Sequence, residues 1–331
     1  MASEDPSWQQ WHSAETPIRI GISACLLGEE VRYDGRHKHD RYLTQTLGQG
    51  LDWAPVCPEV GVGMGVPRPP IRLVQDAGTG DRLIDPVTEK DHTAAMATYS
   101  KRQVAELKSK GLDGFVFKRS SPSCGMEHVK VWAAKGLPAH RHGVGHFAQH
   151  VMANMPHLPV EDEARLSDPR IRDNFIERVF CHNRWRVLNR RRMSRKRLAA
   201  FHSAHQLLLR SHDEAAHRTL GRLITEPSTH PDRVLFLAYE ELFNDTLKKQ
   251  ATVPKHAKVM RHITSQLGSG FDSGRKRTIL ASIDDYRAGL LPLTVPLTLI
   301  RCEAETRDTD YTRGQLYLEP HPKELMLRNH A

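Results

Sequence analysis

Three cysteines of the chain lie in short segments whose other residues could take part in chemistry. The segments read ISACLLGEE around Cys25, APVCPEVGVGMGVPRPP around Cys57 and KRSSPSCG around Cys124. Glu59 follows Cys57 by two positions, and three serines, Ser120, Ser121 and Ser123, precede Cys124. Thiolates bind soft metals and iron–sulfur clusters. The segments therefore indicate a metal or cluster site, or three buried cysteines that only fill the core.

Strands are expected to position these segments, because each cysteine follows a strand-like run. Cys25 is the last residue of IGISAC, and Cys57 is the last residue of LDWAPVC. Cys124 is the last residue of GFVFKRSSPSC, a few positions after the strand-like GFVF. A helix-like period over residues 91–111 separates the second run from the third, which is typical of an α/β domain with a mainly parallel sheet. Ligands of such sheets bind outside the carboxyl ends of the strands, so the three thiols are expected to converge there.

Three converging thiolates would suit a [4Fe–4S] cluster in which one iron has no protein ligand. Such an iron can act as a Lewis acid on a substrate. The other two cysteines, Cys181 and Cys302, fall in helical segments and are expected to be structural. The chain has no C-x-x-C pair, which disfavours a zinc ribbon.

The 331 residues divide by composition into two halves of different character. Residues 1–17 are predicted to be a flexible N-terminus, residues 18–156 the α/β, Rossmann-like domain, and residues 157–168 a linker. Residues 169–331 are predicted to form an all-α domain that starts at Pro169, because proline is favoured at the first helical position. Since neither a secretory signal nor an apolar run near the ~18 residues of a membrane span is visible, we expect a cytoplasmic protein.

The chain is basic, with a net charge of +9 and a pI of about 9.4. This charge fits an ordinary basic enzyme and a protein that binds polyanions equally well. A block without acidic residues falls between two predicted helices, and we expect it to contact RNA phosphates or to be a solvated face. Its eight cations are Arg184, Arg186, Arg190, Arg191, Arg192, Arg195, Lys196 and Arg197.

The three cysteine segments resemble the signature segments of the thiouracil desulfidase family, in the same order and over residues 18–155. Segments of the second half, among them FHSAHQLLL and PHPKELMLRN, resemble the helical YbgA-like domain that is often fused behind it. Together the two halves are similar to the fused subfamily, whose members resemble tRNA 4-thiouridine desulfidases. One position departs from the pattern, since Ala164 stands where a glycine is expected.

The resemblance implies a [4Fe–4S] cluster on Cys25, Cys57 and Cys124, with catalytic roles for Glu59 and Ser121. Glu59 would take a proton from water, and Ser121 would hold that water or relay the proton. The implied reaction is a non-redox, hydrolytic removal of sulfur from 4-thiouridine in tRNA, which gives uridine and hydrosulfide.

Two alternatives remain open for the function. The same chemistry could act on free thiouracil, with the helical half serving oligomerisation. A second alternative is a non-enzymatic RNA-binding protein or iron–sulfur sensor.

Overall fold

The computed structural model describes Trp11 and most of the chain from residue 17 onward. The residues after 17 that it leaves undescribed are 49–50, 77–79, 134–137, 191–192, 227–230, 269–270, 308–310, 313, 323–324, 326–327 and 329–331. The predicted flexible N-terminus therefore lies outside the described residues except for Pro17 and Trp11, whose ring packs edge-on against Phe201. The chain contacts divide the molecule into two units, residues 17–168 and residues 169–331 with 1–16.

The described residues of the first unit form eight strands and three α-helices, besides short 3-10 and π-helical turns. In chain order they are β1 (Arg19–Ser23), β2 (Asp52–Val56), α1 (Pro58–Gly61), β3 (Arg72–Val74), β4 (Arg82–Ile84), α2 (Thr93–Lys110), β5 (Gly114–Phe117), β6 (Val129–Trp132), β7 (Pro138–Gly143), α3 (His146–Asn154) and β8 (Val160–Asp162).

The main sheet has the strand order β2–β1–β5–β8, and all its strands are parallel. Every residue of β5 is buried, as its apolar sequence GFVF predicts for a central parallel strand. Helix α2 buries Met96, Val104 and Leu107 and ends at Gly111, whose φ of 68° lies in the left-handed region that glycine favours. The predicted α/β class with a mainly parallel sheet is confirmed for this half.

A second sheet was not expected from the sequence. Its order is β4–β3–β6–β7, and it is mixed, because β3 pairs in parallel with β6 while the outer pairs are antiparallel. Leu73, Leu83, Val129 and Val131 are buried and belong to one hydrophobic core together with residues of the main sheet. The two sheets therefore share a hydrophobic core.

The segment 157–168, expected to be a linker, contains strand β8 and a turn of 3-10 helix at Arg165–Ser167. Strand β8 completes the main sheet by pairing with β5. The acidic run is accommodated because cations face it: Arg165 Nε lies 2.6 Å from a carboxylate oxygen of Glu161, and Lys118 pairs with Glu163. The proline and the acidic residues of this segment therefore belong to an edge strand and its flanks, not to a flexible linker.

The second unit is helical, as predicted. Its helices are α4 (Pro169–Arg190), α5 (Arg195–His212), α6 (Glu214–Thr225), α7 (Asp232–Lys248), α8 (Val253–Gln266), α9 (Ser273–Arg287) and α10 (Thr294–Arg307). Helix α4 begins at Pro169, where the sequence places its start. Aromatic rings of Trp185, Phe201, Tyr239 and Phe243 stack in the core of this unit. No helix among the described residues is long and apolar enough to cross a membrane.

The two cysteines of the helical unit differ in their surroundings. Cys181 is fully buried, with its Sγ 3.9 Å from Nη1 of Arg184, whereas Cys302 is exposed.

Candidate active site

The three cysteines of the first unit line one cavity of about 330 Å³. Cys25 lies in the 3-10 turn Ala24–Leu27 directly after β1, and Cys57 lies between β2 and α1. Cys124 lies in the loop after β5. Because β2, β1 and β5 are parallel neighbours, all three loops leave the sheet at the same edge.

Burial keeps the three thiols protonated in the absence of a metal. It raises the pKa of Cys25 to about 11, and the nearby charge of Cys57 adds to that shift. Burial also raises the pKa of Cys57 and of Cys124, and in Cys124 the charge of Cys57 contributes again. A bound metal must displace these protons.

The donor set fits a cluster better than a single metal ion. Among the described residues, no group of three or more His, Cys, Asp or Glu side chains could hold one metal ion. The thiols instead surround a cavity. Three soft sulfur donors around a void suit an iron–sulfur cluster, whose irons are spread over several ångströms and take thiolate ligands.

Glu59 borders the same cavity, and its two carboxylate oxygens have different partners. Oε1 accepts a hydrogen bond from Oγ of Ser123 at 2.7 Å. Oε2 accepts from Nε and Nη2 of Arg68, at 3.0 and 2.6 Å. The Arg68 side chain is 4% exposed and that of Glu59 is 15% exposed, so this ion pair is largely shielded from solvent.

Ser121 reaches Glu59 through Ser123. The two serine hydroxyl oxygens are 3.0 Å apart, and Oγ of Ser121 also accepts from the backbone N–H groups of Ser123 and Cys124 at 3.3 and 3.1 Å. Ser121 therefore fixes the turn that carries Cys124, and Ser123 contacts the carboxylate directly.

Sequence reasoning missed Ser123 and Arg68. Ser123 had the same composition around it as Ser121, so nothing local separated the two. Arg68 carried a signal, since it is the sole charged residue between positions 60 and 71, in a loop of glycine and proline just after Glu59.

Comparison with protein families settles the type of domain. Residues 20–163 match the family model described as 2-thiouracil desulfurase. The first unit is a 2-thiouracil desulfurase domain. Residues 206–322 match a second family model, DUF1722, described as a protein of unknown function.

Two curated relatives and one solved structure each match part of the chain. The protein named YbgA of Escherichia coli (strain K12) is 26% identical over 163 residues, which are 48% of this chain and 95% of that protein. The protein named YbbK of Bacillus subtilis (strain 168) is 29% identical over 118 residues, 32% of this chain and 72% of that protein. A solved structure titled "[4Fe-4S]-dependent thiouracil desulfidase TudS" is 26% identical, covers 45% of this chain and 93% of its own, and gives a TM-score of 0.37.

Helix α3 fixes the Cys124 loop of the desulfurase domain. Its first N–H groups donate to carbonyl oxygens of that loop, from Phe147 and Ala148 to Ser123 at 3.0 and 3.2 Å. A Cβ at Gly145 would lie 2.6 Å from the carbonyl carbon of Ser123 and 2.8 Å from the backbone nitrogen of Cys124. The helix can approach this closely only because residue 145 is glycine.

Cationic side chains border the cavity beside the thiols. They are Arg32, Lys38, Lys118 and Arg119, in addition to Arg68. Lys118 pairs with Glu163 on the segment that follows β8.

The basic block, residues 184–197 of the helical unit, is only partly exposed to solvent. The prediction that Arg184 contacts phosphate is wrong, because its side chain is 1% exposed and donates to the carbonyl oxygen of Pro320. Helix α4 also buries two other charged residues, Asp173 and Glu177. Arg195 pairs with Asp232 at 2.8 Å.

The rest of the block differs in exposure. Arg190 and Lys196 are exposed, and Arg186 and Arg197 are half-buried. Arg191 and Arg192 lie outside the described residues.

Proposed function

We propose that the desulfurase domain removes sulfur from a thiolated uracil base, with a [4Fe–4S] cluster held by Cys25, Cys57 and Cys124. The observation that supports this function is that one cavity is lined by three thiols, two of them buried, and by Glu59. Free thiouracil is the first candidate substrate, in keeping with the family description of the domain.

The residues of the chain have separate tasks in this proposal. When bound, the cluster supplies an iron without a protein ligand, a Lewis acid for the thiocarbonyl sulfur. Oε1 of Glu59 takes a proton from the attacking water, directly or through the hydroxyl of Ser123. Ser121 holds the serine turn, and Arg68 occupies the other carboxylate oxygen. Water replaces sulfur at the carbon and hydrosulfide leaves, so the reaction exchanges no electrons.

Anaerobic purification with iron and sulfide assays tests the cofactor, and incubation with 2-thiouracil and with 4-thiouracil tests the reaction. We expect uracil by mass spectrometry and one sulfide released for each base consumed. Protein that holds a full cluster and releases no sulfide from either free base would contradict free thiouracil as the substrate.

A second candidate substrate is 4-thiouridine within tRNA. The charge distribution favours it: residues 169–331 contain 29 Lys and Arg against 18 Asp and Glu, whereas residues 1–168 contain 19 against 21. The positive excess therefore lies entirely in the helical half, which suits a polyanionic partner. Phosphate contacts there would offset the cost of drawing a base out of a folded RNA, a few kcal/mol.

Charge reversal separates the two candidates. Arg190→Glu with Lys196→Glu, extended to Arg191 and Arg192, should impair desulfuration of tRNA far more than that of thiouracil. Lys101→Glu, at an exposed position on α2, is the matched control. The affinity for tRNA should also fall as the salt concentration rises. For each phosphate contact, log K should fall by roughly 0.7 to 0.9 for every tenfold increase in salt concentration. Equal losses on both substrates would exclude this surface, and tRNA that keeps its 4-thiouridine would leave thiouracil as the substrate.

A further inference from the structure

Arg68 connects three segments of the cavity wall through one buried guanidinium group. Nε and Nη2 donate to Glu59, Nη2 also donates to the carbonyl oxygen of Val31 at 2.9 Å, and Nη1 donates to that of Gly65 at 2.8 Å. The backbone N–H of Arg68 donates to the carbonyl oxygen of Tyr33 at 2.9 Å. Val31 and Tyr33 belong to the loop after Cys25, and Glu59 belongs to the turn after Cys57.

The guanidinium determines which oxygen of Glu59 is available. Oε2 receives two N–H groups of Arg68, so Oε1 is the oxygen that contacts Ser123 and can accept a proton. A planar guanidinium fixes the plane of a carboxylate as well as its position. A lysine ammonium at this place would keep the charge but could not hold both the carboxylate and the two carbonyl oxygens.

The same side chain sets the distance between the loops of two cysteines. The carbonyl oxygen of Val31 accepts from Arg68 and also lies 3.7 Å from Sγ of Cys57. Moving the guanidinium would therefore displace the Cys25 loop relative to the Cys57 turn.

We infer that Arg68 is the positioning residue of the site, which directs Oε1 of Glu59 toward Ser123 and holds the Cys25 loop against the Cys57 turn. The catalytic part of this inference, the direction of Oε1 of Glu59, rests on the proposed desulfidase function. The structural part, the contact between the Cys25 loop and the Cys57 turn, does not depend on that function.

The catalytic part is tested with Arg68→Lys, Arg68→Ala and the control Arg82→Lys, whose ion pair with Asp91 lies on β4. Iron and sulfide contents are measured in all three, and kcat is expressed per bound cluster. We expect kcat on thiouracil to fall on the order of 10²-fold in both Arg68 variants, since a small misplacement of a reacting group has that effect. Added guanidinium should restore part of the kcat of Arg68→Ala and none of that of Glu59→Ala. Normal turnover by Arg68→Lys would overturn the inference.

A double variant shows whether Arg68 acts through Glu59. If it does, Glu59→Ala with Arg68→Ala should be no slower than Glu59→Ala alone, because the positioned group is already gone. Losses that multiply would show that Arg68 acts by another route, and the inference would fall.

Limited trypsin digestion of the cluster-free protein tests the structural part. In Arg68→Ala we expect cleavage after Arg36 and Lys38, both exposed in the Cys25 loop, to become several-fold faster. Arg68 precedes Pro69, so its replacement removes no efficient trypsin site. Unchanged digestion would overturn the loop contact even if the wild type had no desulfidase activity. Absent wild-type turnover would instead refute the proposed function.

Discussion

The hydroxyl of Ser123 lies between two groups that are catalytic in the proposed function. It is 2.7 Å from Oε1 of Glu59 and 3.0 Å from Oγ of Ser121. In the proposed mechanism, a proton that passes between Ser121 and Glu59 along these contacts must cross Ser123. Ser123 therefore belongs to the proposed proton path as much as Ser121 does.

Ser123→Ala should lower kcat for desulfuration by roughly 10² to 10⁴, the range for a positioned acid–base group, and should retain the cluster. Ser121→Ala should lose activity too, because it removes the acceptor of the Cys124 backbone N–H. Steady-state sulfide release with iron quantification gives both numbers. Ser109→Ala, at an exposed position near the end of α2, is the control, and near-normal turnover of Ser123→Ala would remove it from the mechanism.

Replacing Cys25, Cys57 or Cys124 by alanine should abolish cluster binding, because each supplies one of three thiols around the cavity. Cys302→Ala should leave the cluster intact, since that thiol is exposed in the helical unit. Cys181→Ala should also keep the cluster while it lowers thermal stability, because the side chain is fully buried. Iron content and visible absorbance measure the outcome. A Cys124→Ala protein that keeps its absorbance while Cys181→Ala loses it would contradict the assignment.

Among the individual residues of the site, the three thiols could be predicted from the sequence, whereas the residues that contact Glu59 could not. Cys25 and Cys57 could be placed because they follow apolar strand-like runs, and strand ends are where such sheets bind ligands. Arg68 and Ser123 could not be placed, because their roles depend on contacts with Glu59 that only the folded loops create. Arg184 was misplaced because a charged residue on a helix is usually solvated.

Helix α3 and the Cys124 loop behave as one element. The loop supplies carbonyl oxygens to the first N–H groups of the helix, and Gly145 provides the close approach. A helix start is usually capped by a side chain from its own N-cap residue. Here the loop that carries Cys124 takes that part, so the position of the thiol depends on the position of the helix.

Gly145→Ala should lower cluster content and desulfidase activity together. Its Cβ would lie 2.6 Å from backbone atoms of Ser123, and backbone cannot move aside as a flexible side chain can. Gly221→Ala is the control, because it lies inside α6 with only Nε2 of His202 within 4 Å, at 3.6 Å. Alanine there should be neutral or stabilise by up to about 1 kcal/mol. Iron content, activity and the thermal midpoint compare the two, and a fully loaded, active Gly145→Ala protein would refute the coupling.

Three strands of the main sheet, β1, β2 and β5, could be predicted, whereas β8 and the strands of the second sheet could not. The sequence GFVF of β5 and the long period of α2 have clear apolar patterns. Strands β3 and β4 have three residues each, RLV and RLI, which are too short to show a period. Their pairing depends on Leu73 and Leu83 joining a core formed by distant parts of the chain.

Several histidines of the helical unit are shielded from solvent. His256 is buried, and His202 and His217 are half-buried. Burial lowers the pKa of His202 and of His217 to about 4 and that of His256 to about 3, from an ordinary value of 6.5. These rings are therefore neutral in the folded unit and take up protons when it unfolds in acid.

The helical unit should lose stability as the pH falls from 6.5 toward 4. The unfolded chain binds more protons than the folded one in this window. The free energy of unfolding therefore rises with pH by on the order of 1.4 kcal/mol per pH unit for each of these histidines. Urea unfolding followed by far-ultraviolet ellipticity at several pH values measures the slope.

His256→Gln should make that slope shallower by about one proton, even if it lowers stability at neutral pH. His142→Gln, at an exposed position on β7, is the control and should leave the slope unchanged. A His256→Gln protein with the same slope as the wild type would contradict the assignment of the proton uptake to buried histidines.

Strand β8 determines where the two halves can be cut apart. The visible change of composition, at Pro156, would guide most designs of a shorter gene. A protein ending there would lack β8, leave the edge of β5 open to pairing with other molecules, and remove Glu163 from Lys118 at the cavity wall. Ending at Asp168 would keep both. The obvious boundary would thus yield an aggregating product with a damaged cavity, and its inactivity would be wrongly credited to the missing helices.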